Sequence, residues 1–332
     1  MSRNRAVFPS LLLAAGLAGL AWGQAGNSQA VEKQSQVGVW KPTAGGTQIP
    51  LWPSNTDLAR PDTGDRPEET GNGSTLVAKR KWHWASYVTR PTMTIYRPKG
   101  RNTGTTILVL PGGGFAALAM DLEGTEICEW AVGKGMTCVI VKYRAPQLWP
   151  MDEQTGRRRR PQPLLALQDA QRAMALLRQR GSAFGINPGR IGVIGFSAGA
   201  YVAAEMSNIE DRTYTLVEGA DQNSSRPDFA IIAYTGRIWE TSDAKTGLGL
   251  APWVKISAKA PPTLLIHSMS DPSNDVRHSI AYALALGEAG VPVDLRLYSK
   301  GGHAFGMRPT DDPITRHWPG QAEQWLRDLG ML

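Results

Sequence analysis

From Thr105 to the end of the chain, short apolar runs alternate with helix-forming segments, and this alternation limits the possible folds more than any other feature. The runs are Thr105 to Leu110, Thr137 to Tyr143, Ile191 to Phe196, Phe229 to Thr235, Thr263 to His267 and Val293 to Tyr298. Most are nearly unbroken in Val, Ile, Leu and other apolar residues, as strands are when helices cover both faces of their sheet. Thr92 to Tyr96, by contrast, alternates like a half-buried strand. Between the runs, Gly124 to Gly133, Leu164 to Arg180 and Ser279 to Ala289 read as helices, and a last helix is expected from Gln321. In the longest of these, Leu164, Leu167, Ala170, Met174 and Leu177 share one face. The expected fold is therefore α/β: a mostly parallel, doubly wound sheet with right-handed crossovers and helices on both faces.

With 332 residues, 42% apolar and 20% charged, the chain has ample material for a globular core. Three regions are expected. Residues 1–23 read as a secretory signal peptide: Arg3 and Arg5 precede an apolar run from Ala6 to Trp22, with small residues at its end. That run is too short and too poorly flanked for a stable membrane span, so a secreted or periplasmic protein without a lasting anchor is expected. Residues 24–75 form an irregular lead-in rich in Gly, Pro, Ser, Thr and Asn, and residues 76–332 form the main domain. The formal charge of +7 drops by two when the leader arginines leave. Four of the positive charges stand together at Arg157 to Arg160, a run read as a solvated loop, with contact to an acidic polymer as the alternative. Nothing interleaves aromatic with basic residues, so no nucleic-acid partner is expected. Cys128 and Cys138 fall in a helix and the next strand, and are read as unpaired small apolar residues. No metal or cofactor is expected.

Chemistry enters at Gly195-Phe196-Ser197-Ala198-Gly199, which lies between the strand Ile191 to Phe196 and a helix-forming stretch beginning at Ala200. Small residues around a Ser on a sharp strand-to-helix turn push its Oγ outward, where it can act as a nucleophile. A Ser hydroxyl needs a base, and the base needs an orienting acid. Of the five histidines, His303 stands in a Gly-rich loop directly after an apolar strand and suits the base. His83, His267, His278 and His317 are read as structural or surface residues. The acid is Asp271, a few residues beyond the strand ending at His267, or else Asp275, which also suits a helix cap. Oxyanion donors are expected from Gly113 and Gly114 in Pro111-Gly112-Gly113-Gly114-Phe115, and from the amide of Ala198.

These motifs occur with Asp121-Leu122-Glu123-Gly124, Tyr143-Arg144, Asp169-Ala170-Gln171-Arg172-Ala173 and Gly301-Gly302-His303-Ala304-Phe305-Gly306. In that order they resemble the α/β-hydrolase esterases, and most of all the bacterial acetyl-xylan-esterase-like branch among carbohydrate esterases. The resemblance runs from about Thr92 to Leu332. It implies the α/β-hydrolase fold, with Ser197 as nucleophile, Asp271 as acid and His303 as base. Two positions depart from it: Pro111 stands where lipase-like relatives carry His, and Asn274-Asp275 where the acid loop carries Val and Pro. Asp169 and Arg172 are read as structural links.

Phe115, Trp149, Trp239 and Trp253 are expected to offer aromatic faces at the mouth of the site. Residues 145–163 and 236–257 are expected to form its lid or walls. The function expected is a serine esterase removing short acyl groups, acetyl above all, from small-molecule or oligosaccharide esters such as xylan fragments. A serine peptidase, formamidase or general carboxylesterase would use the same groups. A non-catalytic carbohydrate-binding relative would not need them.

Overall fold

Residues 35–61, 63–146, 164–240 and 247–332 are described by a computed structural model. Their first strands are β1 (Ser35–Val37), β2 (Thr47–Pro50), β3 (Glu69–Asn72), β4 (His83–Ser86) and β5 (Thr92–Tyr96). β6 (Thr106–Leu110) is followed by β7 (Ala117–Ala119), a π-helical turn over Asp121–Thr125, α1 (Glu126–Gly133) and β8 (Thr137–Lys142). Next come α2 (Leu164–Arg180), β9 (Ile191–Phe196), α3 (Ala198–Asn208) and β10 (Ala230–Ala233). The chain closes with β11 (Thr263–Ser268), α4 (Arg277–Glu288), β12 (Val293–Tyr298) and α5 (Pro313–Asp328).

The apolar runs assemble into one eight-stranded sheet of order β12-β11-β10-β9-β6-β8-β5-β2. From β12 to β8 every pair is parallel, while β5 and β2 run antiparallel along the remaining edge. β6, β8 and β9 are buried throughout because helices cover both faces. On one face α3 meets α4 through Asn208 Nδ2, which donates to Tyr282 Oη at 2.7 Å, and α2 packs beside α3. On the other, Trp130 of α1 and Trp318 of α5 lie 6.4 Å apart, and Trp318 also packs on Phe196 of β9. The chain leaves β6 for β8 on one side and returns to β9 on the other. Loops after β6 and β9 therefore diverge and leave a crevice at their carboxyl ends, where open α/β sheets hold their sites.

Three expectations change. The lead-in is not irregular: β2 joins the main sheet, and β1-β3-β4-β7 form a second, four-stranded sheet. It is also tied down by Glu68, whose carboxylate accepts from Lys142 Nζ at 2.6 Å and from the Trp40 amide at 2.8 Å. Cys128 and Cys138 are not unpaired but form a disulfide, because α1 lies directly over β8 and brings their Cα atoms to 5.2 Å. The last helix begins at Pro313 rather than Gln321. Pro313 suits a first helical turn, and the buried Trp318 carries the helix through Pro319.

Asp169 and Arg172 do link elements. Asp169 accepts from Trp52 Nε1 at 2.7 Å and from the amide and guanidinium of Arg144. Arg172 reaches Asp221, Glu218 and the carbonyl of Leu51. The leader and the Arg157 to Arg160 run lie outside the described residues. Among the described residues, no helix is long and apolar enough to cross a membrane.

Candidate active site

β9 ends against α3 with a single residue between them. That residue, Ser197, has φ +51° and ψ −114°, a conformation non-glycine residues take only where the surroundings enforce it. A Cβ on Gly195 would strike the backbone of Gly199, and one on Gly199 would strike Leu110. The two glycines are what allow strand, turn and helix to pass so closely.

Ser197, His303 and Asp271 come together across 106 and 32 residues of sequence. Ser197 Oγ lies 2.9 Å from His303 Nε2, and His303 Nδ1 lies 2.6 Å from Asp271 Oδ2. Since Oδ2 is an acceptor, Nδ1 carries the proton, and Nε2 is left to accept from the Ser197 hydroxyl. All three side chains are buried or nearly so. Burial alone would raise the Asp271 carboxyl, but hydrogen bonds from His267 and His303, together with the histidine's charge, hold it down to about 2. Its Oδ1 accepts from the amides of Ser273 and Asn274 at 2.8 and 2.9 Å. Asp275 has a different task. It pairs with Arg277 at 2.5 Å and accepts from the Arg277 amide at the start of α4.

The loop after β6 lies against this elbow. Gly113, Gly114 and Phe115 all have positive φ, at 131°, 66° and 62°. A Cβ on Gly112 would fall 2.8 Å from Ser197 Cβ and 2.7 Å from Phe196 O, so only glycine fits there. The loop continues into β7, which β4 holds with Trp84 opposite Ala119 and Ser86 opposite Ala117. The Ser86 hydroxyl also donates to Ala116 O at 2.6 Å. Gly112 thus lies against Ser197, with Gly113 and Gly114 next in the same loop and Ala198 directly after the serine.

The aromatic candidates behave differently from expectation. Phe115 is 1% exposed and lies under the Arg237 guanidinium at 4.8 Å. Trp239 is 6% exposed and packed against Arg277 at 3.8 Å and against His278. Both rings are consumed by packing with cationic and aromatic neighbours, so neither offers an open face. Trp253 is partly exposed, its Nε1 donating to Arg237 O at 3.0 Å. Trp149 lies outside the described residues, as do residues 147–163 and 241–246 of the two excursions.

Sequence reasoning missed three contributors. His267 donates from Nε2 towards Asp271 Oδ2 at 3.2 Å and Asn274 O at 3.1 Å, with Ser279 Oγ 2.8 Å from its Nδ1. Its position four residues before Asp271, at a strand end, was the available signal. Glu123 accepts from the Gly112 amide, and Tyr234 packs edge-on against His303. Burial raises the Glu123 carboxyl, while Tyr234, Gly112 and nearby His303 pull it back. Glu123 stood in the Asp121-Leu122-Glu123-Gly124 motif but with no role assigned, and no local pattern marks Tyr234, whose partner Glu123 is 111 residues away.

Residues 166–318 match the prolyl oligopeptidase family. An acetylxylan esterase of Xylanibacter ruminicola is 25% identical over 238 residues, covering 69% of this chain and 45% of its own length. An endo-1,4-beta-xylanase B of Butyrivibrio fibrisolvens is 26% identical over 263 residues, covering 73% and 39%. This chain therefore spans less than half the length of these curated relatives. Among solved structures, an acetyl ester-xyloside bifunctional hydrolase from Caldicellulosiruptor lactoaceticus superposes with a TM-score of 0.64 at 25% identity. The overlap takes in 86% of this chain and 97% of that one. Its parallel sheet and strand-to-helix elbow, with these likenesses, give the chain an α/β-hydrolase fold and make it similar to acetylxylan esterases.

Proposed function

We propose that the chain is a serine ester hydrolase acting on short acyl esters, acetyl in particular, carried by small alcohols or oligosaccharides such as xylan fragments. The observation that carries this is the continuous relay from Ser197 Oγ through His303 to the buried Asp271, with 2.9 and 2.6 Å links. In the reaction, His303 Nε2 takes the Ser197 proton as Oγ attacks the ester carbonyl. The oxyanion is met by backbone amides from Gly113, Gly114 and Ala198, each donor worth about 3 kcal/mol in such sites. His303 then gives its proton to the departing alkoxide, which leaves as the alcohol. Water, deprotonated by the same nitrogen, releases the acid and restores the hydroxyl. Asp271 stays ionised throughout and holds the imidazole in its Nδ1–H form.

The acetylxylan esterase and bifunctional hydrolase relatives support the choice of substrate. Secretion belongs to the same reading, and the Cys128–Cys138 disulfide supports an oxidising compartment. A peptidase or formamidase reading draws on the match to the prolyl oligopeptidase family. Treatment with a fluorophosphonate, followed by peptide mapping, tests the mechanism. An adduct on Ser197 that abolishes p-nitrophenyl acetate hydrolysis is expected. Labelling at another residue, or none on folded protein, overturns the reading. Faster turnover of peptide anilides than of acetyl esters would favour the amidase.

A further inference from the structure

A buried carboxylate stands beside the relay without belonging to it. Glu123 is 2% exposed and lies where the turn leading into α1 departs from helical geometry, at φ −117° and ψ 15°. That departure directs its side chain back towards the loop after β6. Oε2 accepts from the Gly112 amide at 2.7 Å, and Oε1 accepts from the Tyr234 hydroxyl at 2.8 Å. Tyr234 is fully buried at the end of β10, with φ +40°. Its ring packs edge-on against His303 at 4.9 Å and against Phe305 at 4.4 Å. Its carbonyl accepts from Asn274 Nδ2 at 2.8 Å, and the Asn274 amide in turn donates to Asp271. One carboxylate and one phenol thus touch the oxyanion loop, the histidine loop and the acid loop together.

We propose that Glu123 and Tyr234 form a single positioning unit that fixes the oxyanion loop relative to His303; this rests on the serine-hydrolase reading above. The carboxylate accepts at both oxygens, one from an N–H and one from an O–H. An amide of the same shape can accept from the Gly112 N–H only through its single oxygen; its NH₂ then faces Tyr234 Oη, which must turn its own O–H away and accept, and the negative charge behind the oxyanion loop is lost. The loop it anchors has little slack, because a Cβ on Gly112 would fall 2.7 Å from Glu123 Oε2 and 2.8 Å from Ser197 Cβ. A small shift of Gly112 therefore carries Gly113 and Gly114 out of line with the oxyanion. Ground-state binding depends on the pocket walls and is affected much less.

The test compares the wild type with Glu123→Gln, Tyr234→Phe and the double variant on p-nitrophenyl acetate. Rates are expressed per active site titrated with a fluorophosphonate, which removes any contribution from unfolded protein. Each single variant should lose kcat on the order of 10–100-fold with KM within about twofold, the pattern for an interaction realised in the transition state. Affinity for a trifluoromethyl ketone analogue, which presents an oxyanion, should fall in parallel. The double variant should be no worse than the worse single by more than about threefold, because the two groups act as one unit. Should Glu123→Gln yield little folded protein, Tyr234→Phe alone decides, since it removes one oxygen and leaves the ring in place. A kcat per titrated site within twofold of wild type in the single variants overturns the proposal, as do losses that multiply in the double variant. A wild-type protein that the fluorophosphonate leaves unlabelled overturns the serine-hydrolase reading itself, and the unit's role with it.

Discussion

Glu205, on the helix that begins at the nucleophile, offers a measurement of how dry this core is. It is 5% exposed, and its Oε2 has no hydrogen-bond partner among the described residues. Burial pushes its carboxyl up to about 7, against an opposing hydrogen bond from Tyr201. The sign follows from linkage. Below the unfolded value of 4.5, both folded and unfolded chains hold the proton, and the group costs nothing. Between 4.5 and about 7, the unfolded chain releases it while the folded chain keeps it, so stability falls as pH rises. Above 7 the loss levels off at about 3 kcal/mol, from roughly 1.4 kcal/mol per unit of pKa. Glu205→Gln stays neutral throughout. Any fixed cost of its amide cancels when the two proteins are compared at pH 5 and pH 8.5. The variant should gain about 2 kcal/mol on wild type between those two conditions. At about 2 °C per kcal/mol for a domain of this size, its Tm advantage should grow by about 4 °C. Thermal or urea unfolding of both proteins at both pH values measures this. A difference in Tm that stays constant within a degree would refute the reasoning, since the carboxyl would then titrate as it does unfolded.

Three further outcomes are expected. Asp271→Asn should lower kcat on the order of 10⁴-fold by presenting the wrong imidazole tautomer, whereas Asp275→Asn, which breaks only the contact with Arg277, should leave kcat within a few fold; steady-state kinetics on an acetyl ester decides. Removing the disulfide with Cys128→Ser and Cys138→Ser together should cost roughly 2–3 kcal/mol, since its bridge closes a short loop of separation 10, and urea unfolding measures it. Across p-nitrophenyl esters, kcat/KM should fall from acetyl to butyryl to octanoyl in graded steps, each unaccommodated methylene costing ~1–3 kcal/mol; a rise towards octanoyl would contradict the acetyl preference.

What could be read in the sequence was whatever a short window determines. The buried strands announced themselves because a parallel sheet leaves no polar face to interrupt their apolar runs. The elbow was visible because Gly195 must clear the backbone of Gly199 and Ala200, within a few residues of Ser197, whereas Gly199 answers to the distant backbone of Leu110. The second sheet was not, because β1, β3, β4 and β7 are three or four residues long and exist only through pairing across tens of residues. Cys128 and Cys138 were correctly expected in a helix and the following strand, yet their pairing depends on how that helix lies over the strand. Phe115 and Trp239 were visible as aromatics, but not as buried ones, since Arg237 and Arg277 reach them only in the folded chain. Tyr234 belongs to the same class: an ordinary residue locally, given its role by partners that the topology brings to it.

The small sheet gives the segment ahead of the main domain influence over chemistry it never touches. β7, just after the glycine run at residues 112–114, has β4 as its neighbour, β4 has β3, and β3 has β1. A chain begun at residue 76 would keep β4 but strip away β3, leaving β4 with an unpaired edge. A protease cutting between β2 and β3 would loosen the same stack. Ser197, Asp271 and His303 would all still be present and correctly spaced, yet the glycine loop would have lost its backing. Such damage would resemble an active-site mutation in every rate assay while leaving every active-site residue untouched. In the esterase proposed above, vulnerability to clipping would therefore be set around β1 and β3, far in sequence from Ser197.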